Sequence, residues 1–195
     1  MGKAAQTRQY IIEKSAPVFN KRGFSGTSLQ DLTTATGLTK GSIYGNFENK
    51  DEVALEVFHY NLKKMNLFFT AEMSRKDSFR EKLLTYPNLY ENFLDNAAFP
   101  EGGCPILNTA VEADDTNETL KSVARKSMLS WKDSIQLLIE SGISAGEFKS
   151  DVPPQTSALT MLALLEGATL VGKLTHNDEF LKAIMSSLRK LVMEL

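Results

Sequence analysis

The sequence predicts an all-α fold of about nine helices, and two observations carry that prediction. No segment keeps a period-2 alternation of apolar and polar residues between turn signals, whereas apolar residues recur at three- and four-residue steps along nearly the whole chain. Helix-capping residues and glycine stops punctuate this pattern. The 195 residues, 42% apolar and 24% charged, are enough for one or two globular domains with real cores.

A first helix runs from about Ala4 to Arg22, burying Ile11, Ile12, Ser15, Ala16 and Phe19, and stops at Gly23. Pro17 inside it costs about 3 kcal/mol in an isolated helix and marks a kink site. Thr27 or Ser28 caps a short second helix, since Gln30 and Asp31 sit three residues on from each; Leu29, Leu32 and Ala35 share one side of it, and Gly37 ends it. Thr39 caps a third, Lys40 to about Asn46, whose Ile43 and Phe47 point to the core. Asn49 with Glu52 opens a long fourth helix to about Met73, striped by Ala54, Phe58, Leu62, Met65, Phe69 and Met73.

A fifth helix is expected near Asp77–Ala98, with Phe79, Leu83, Tyr86, Tyr90, Phe93 and Ala97 on one face and Pro87 as a second kink site. After the Pro100-Glu101-Gly102-Gly103 loop comes a short helix around Pro105–Ala113. Asp115 with Glu118 then opens a seventh, to about Gly146, on which Leu120, Ala124, Ser127, Trp131, Ile135, Leu138, Gly142 and Ile143 keep i+3/i+4 spacing. Pro153 and Pro154 start an eighth that is apolar nearly all round. The ninth, about Asp178–Leu195, repeats Leu181, Ile184, Leu188, Leu191 and Leu195.

Several classes of function are disfavoured. The N-terminus lacks the apolar run of a secretory signal, and Gln6 breaks the pattern for Gly2 acylation. The most apolar stretch, Ala158–Leu174, is interrupted by Glu166 and Lys173 and falls short of the roughly 20 apolar residues of a membrane span, so no membrane partner is expected. One cysteine, Cys104, cannot form an internal disulfide, and with His59 and His176 far away no zinc spacing exists. The expected compartment is a reducing cytoplasm. Neither nucleotide-binding loops nor an HExxH motif occurs, so no catalytic residues, metal or cofactor are expected and the chain does not read as an enzyme.

Net charge is −2, but it is unevenly spread: residues 1–50 hold seven Lys and Arg against three Asp and Glu, leaving −6 for the rest. A basic first quarter on an acidic body suits a protein of which only that quarter meets a polyanion. Within it, two capped helices joined by a short glycine-containing turn, Leu29 to Phe47, have the form of a DNA-binding helix-turn-helix. Thr39-Lys40-Gly41-Ser42 gives the second helix a small, polar start. Gly41 permits close approach of a groove wall, Lys40 supplies charge, and hydroxyls with N-terminal amides can hold phosphates.

Arg22-Gly23-Phe24, Thr27-Ser28, Gly37-Leu38-Thr39-Lys40-Gly41-Ser42-Ile43-Tyr44, Phe47 and Lys50 together resemble the signature of the tetracycline-repressor-like (TetR/AcrR) regulators, over about residues 5–65. The resemblance implies a helix-turn-helix domain at 1–50, with the motif itself at about 28–47, and a helical effector-binding and dimerisation domain at 51–195. It implies that Thr27, Ser28, Thr39, Lys40, Gly41, Ser42, Tyr44 and Lys50 face a double-stranded DNA operator, Tyr44 and Lys50 through phosphates. Two departures stand out: Thr33 and Thr36 replace a frequent alanine, and Gly45-Asn46 replaces a bulkier pair.

By the same resemblance, the last two helices would form a homodimer interface, for which Leu159, Leu162, Gly167, Leu170, Ile184, Leu188 and Leu191 are the candidates. A bacterial regulator of this kind also holds a small-molecule effector between helices four and eight. Phe69, Tyr86, Tyr90, Phe93, Cys104, Leu107, Trp131 and Ile135 are candidate wall residues, implying an apolar or aromatic ligand. The leading expectation is a repressor released from its operator by such a ligand. The alternative is a redox- or electrophile-sensing regulator acting through Cys104, which follows two glycines and precedes a helix whose amides favour a thiolate.

Overall fold

A computed structural model describes residues 2–93, 96 and 99–195. Among these lie nine helices and no strand: α1 (Lys3–Arg22), α2 (Leu29–Thr36), α3 (Lys40–Tyr44), α4 (Lys50–Met73), α5 (Phe79–Tyr90), α6 (Pro105–Ala113), α7 (Glu118–Ser144), α8 (Pro154–Thr175) and α9 (Asp178–Glu194). The all-α expectation is met.

Capping side chains set most of the boundaries. Ser28 and Ser78 each form a reciprocal capping box, with Asp31 on α2 and Glu81 on α5. The Glu52 amide bonds Asn49 Oδ1 at 2.9 Å, while the Glu52 carboxylate accepts from the Glu48 amide at 2.6 Å. Three expectations need correction. First, α5 spans only Phe79–Tyr90, because its exit tightens to a Phe93 N–H to Tyr90 C=O bond of 3.2 Å; Ala97 lies outside the described residues. Second, α7 is capped by Asn117, whose Oδ1 accepts from the Leu120 amide at 3.0 Å, not by Asp115. Asp115 sits in the turn that the Thr116 and Asn117 amides close onto Ala113 C=O. Third, α3 stops at Tyr44, where the Asn46 amide bonds back to Ile43 C=O. Helix α1 runs through Pro17 unbroken.

The chain forms two compact units: Met1–Met65 with Ala97–Arg125, and Asn66–Asn96 with Lys126–Leu195. The first thus includes α6, residues 50–65 of α4 and residues 118–125 of α7, beyond a division at residue 50. Its core joins Ile11, Ile12, Phe19, Leu32, Ile43, Phe47, Val53 and Val57. Each such large side chain contributes about 1.5–3 kcal/mol when fully buried.

In the second unit α8 packs on α9, and α5 on both, around Leu83, Ile135, Ile139, Met161, Leu165, Leu181, Met185 and Leu188. Near the end of α7, a Cβ on Gly142 would run into the ring of Phe148, which follows the helix and folds back onto it. The Glu147 carboxylate accepts from the Phe79 and Arg80 amides at 3.1 Å, and the Arg80 guanidinium donates to Val192 C=O at 2.5 Å. By length and composition α8 is long and apolar enough to cross a membrane, which corrects the expectation that this stretch falls short. Its inner face is nonetheless buried on neighbouring helices.

Candidate nucleic-acid interface

The Ser28 cap and Gly37 fix the two ends of α2. Gly37 adopts the left-handed region at φ 68°, and its amide bonds Thr33 C=O at 2.9 Å. An added Cβ there would meet no atom, so the backbone conformation alone calls for glycine. Thr36, one of the two departures from the resembled pattern, is buried and bridges the turn: its hydroxyl donates to Leu32 C=O at 2.7 Å and accepts from the Leu38 amide at 3.2 Å. Tyr10 donates to Thr36 C=O at 3.0 Å. Thr39 caps α3 by accepting from the Ser42 amide at 3.2 Å.

Ile43 and Phe47 anchor the inner side of α3, leaving Thr39, Lys40, Gly41 and Tyr44 exposed and Ser42 half-buried. Lys40 Nζ lies 5.9 Å from the Tyr44 ring centroid. Beyond its chain neighbours and the backbone of its own helix, nothing lies within 4 Å of a Cβ built on Gly41, so the surface at that position is open. The Asn46 side chain turns back to donate to Ser42 C=O at 2.8 Å.

Two expected contacts point inward. Thr27 is fully buried and donates to Gly23 C=O at 2.6 Å. The Lys50 ammonium donates to Phe24 C=O at 2.8 Å and Thr27 C=O at 3.0 Å, and lies 4.1 Å from the Phe24 ring centroid. Both groups brace the Gly23–Thr27 loop, a role that corrects their assignment as outward contacts. The Ser28 hydroxyl is exposed but engaged in its cap with Asp31. Asp31 is held below the ordinary carboxylate range, first by the Ser28 hydroxyl, then by the Ser28 amide.

Sequence reasoning missed three residues that hold this surface. Arg8 donates to Asn46 C=O at 2.5 Å and pairs with Glu52 at 2.7 Å and Glu56 at 3.0 Å. Glu112, on α6, accepts from the Phe24 and Ser25 amides at 2.5 and 2.6 Å. Asn108 donates to Asn20 C=O at 2.9 Å. No local pattern announces partners separated by 38 to 88 residues.

The candidate effector residues divide. Phe69, Tyr86, Tyr90, Phe93 and Trp131 form a ring cluster in the second unit, with neighbouring centroids 5.2–6.4 Å apart. Ile135 is buried in the same unit. Burial pushes the Tyr86 phenol up to about 12, against the Trp131 hydrogen bond, which lowers it. Cys104 and Leu107 belong to the first unit, where Cys104 is buried at the N-cap of α6. Of the interface candidates, Leu159 and Leu170 are 49% and 58% exposed, while Gly167, Ile184 and Leu191 are half-buried. Leu162 and Leu188 face the interior of their own unit, 7% and 0% exposed, and are corrected to core.

A short, outward-facing helix capped by threonine and set by a left-handed glycine turn defines a helix-turn-helix DNA-binding protein. The family model described as "Bacterial regulatory proteins, tetR family" matches residues 11–57, and the one described as "Tetracyclin repressor-like, C-terminal domain" matches residues 80–188. The chain belongs to the TetR family of transcriptional regulators. It is 27% identical to the transcriptional repressor DhaR of Mycobacterium sp. (strain GP1) over 188 residues, 93% of this chain and 91% of that protein. A TetR-family regulator from Cytophaga hutchinsonii is 46% identical, with a TM-score of 0.95 over 100% of this chain and 97% of that one. A second, from Chloroflexus aurantiacus J-10-FL, is 31% identical, with a TM-score of 0.93 over 100% and 98%.

Proposed function

We propose that the chain is a cytoplasmic, homodimeric repressor that sets two α3 helices into successive major grooves of an operator, about 34–36 Å apart. A small apolar or aromatic molecule would release it. The observation that carries the DNA half of this reading is the exposed run of Thr39, Lys40, Gly41 and Tyr44 on a helix held rigidly from behind. Lys40 and Tyr44 would contact phosphates, and the Gly41 surface would meet base edges. The exposed Leu159 and Leu170, continued by Gly167, Ile184 and Leu191, would form the seam between protomers. Phe69, Tyr86, Tyr90, Phe93, Trp131 and Ile135 offer the aromatic surface for an effector.

The test begins with selection of bound duplexes from a random pool. Lys40→Ala and Tyr44→Ala should lose the selected duplex while keeping wild-type helicity; unchanged affinity would reject this contact surface. A screen for compounds that release the duplex then tests the effector.

A second reading places the signal at Cys104. It is favoured by position, since Cys104 is the N-cap of α6, whose other end holds the loop before α2 through Glu112. At 3% exposure the sulfur needs local opening to react. Cys104→Ser would then bind DNA but ignore thiol oxidants, and a wild-type protein indifferent to those oxidants removes the reading.

A further inference from the structure

The loop Gly23–Thr27, through which the chain enters the helix-turn-helix, is held by opposite charges acting on opposite backbone groups. The Glu112 carboxylate takes its amides: Oε2 accepts from Phe24 N–H at 2.5 Å and Oε1 from Ser25 N–H at 2.6 Å. The Lys50 ammonium takes its carbonyls, those of Phe24 and Thr27. Phe24 is therefore gripped at both its N–H and its C=O. Gly23, at φ 75°, leaves room for the carboxylate, because a Cβ there would overlap Glu112.

Further bonds fix α6 to the end of α1 beside this point. The Asn20 side chain donates through Nδ2 to Glu101 C=O and Gly103 C=O at 2.8 and 2.9 Å, and the Asn108 side chain through Nδ2 to Asn20 C=O and Gly102 C=O, both at 2.9 Å. Gly102 lies so close to the Asn20 backbone that no side chain fits. Glu112 is thus presented by a helix that is itself tied down, with both oxygens engaged.

We infer that Glu112 is a positioning residue for operator recognition: its carboxylate sets the pose of the Gly23–Thr27 loop, and so the orientation in which α2 and α3 meet DNA. The inference deepens the DNA-binding reading and rests on it. Geometry makes the charge essential. A glutamine of the same shape can accept from one amide, but it turns an NH2 toward the other, so two donors face each other.

The full-length protein and Glu112→Gln, with Val111→Ala as an exposed control on the same helix, are compared for affinity to the selected operator. The temperature is one at which circular dichroism shows each fully folded. Glu112→Gln should weaken binding about tenfold, the loss expected for one charge-assisted bond, with an unchanged salt slope because no phosphate contact is removed. A purely structural role would lower the melting temperature and leave the affinity of the folded protein intact, and that result overturns the inference. Should Glu112→Gln fail to fold, amide exchange in the wild-type protein decides: protected Phe24 and Ser25 amides uphold the clamp, and free-loop exchange overturns it. A wild-type protein that binds no duplex overturns the DNA-binding reading itself and this inference with it.

Discussion

The Arg8 guanidinium lies 4.1 Å from the centroid of the Phe47 ring, and from there donates to the carbonyl of Asn46, the second residue beyond α3. One side chain of α1 thereby fixes the exit of α3 and joins it to Glu52 and Glu56 of α4.

Arg8→Lys keeps the charge but loses the planar fork that bonds Asn46 and two carboxylates at once. The expected cost is about 1–2 kcal/mol in stability, read as a lower urea midpoint at constant slope. An unchanged midpoint would show that the fork adds nothing beyond its charge.

Three carboxylates at the third position of their helices, Asp31, Glu52 and Glu81, are held below their ordinary values. The leading causes are the Ser28 hydroxyl for Asp31, the Glu48 amide for Glu52 and the Ser78 amide for Glu81. A depressed folded-state pKa stabilises the fold above the ordinary values of 3.8 and 4.5, and that contribution is lost as pH falls through the folded-state values. The stability gap between wild type and Glu81→Gln should therefore be widest at neutral pH and close under acid. A gap independent of pH contradicts this assignment.

Tyr86 has the opposite sign. Its raised phenol stabilises the fold below the ordinary value of 10, and the contribution disappears as pH rises through about 12. In an alkaline titration of tyrosinate absorbance, Tyr86→Phe should remove a component that ionises well above the ordinary value. If it removes an early one, the phenol is not desolvated.

Two leucines of the last helices should behave in opposite ways. Leu170→Glu, on the exposed face of α8, should separate the dimer with helicity retained, seen by sedimentation. Leu188→Ala, fully buried in its own unit, should cost about 2–5 kcal/mol in unfolding. A dimer that survives Leu170→Glu would move the seam elsewhere.

What the sequence disclosed followed interaction range. The caps Ser28 and Thr39 and the stop Gly37 act within three or four residues, so α2 and α3 were legible, and the identity of the exposed α3 residues with them. Thr27 and Lys50 were misread because a hydroxyl or ammonium beside a loop can serve backbone carbonyls as readily as phosphates, and periodicity carries no information on which. Leu162 and Leu188 share the spacing of Leu159 and Leu191; a helix apolar on more than one face does not declare which face its own unit consumes. Arg8, Asn108 and Glu112 were invisible because their partners lie 38 to 88 residues away.

The empty space around Gly41 separates two properties that usually constrain each other. A methyl group there meets nothing beyond its own helix backbone and chain neighbours, and alanine gains about 1 kcal/mol in helix propensity over glycine. If Gly41 meets base edges as proposed, base preference can drift at this position without any debt in foldability, and descendants of this chain could acquire new binding sequences by single substitutions before any compensating change elsewhere.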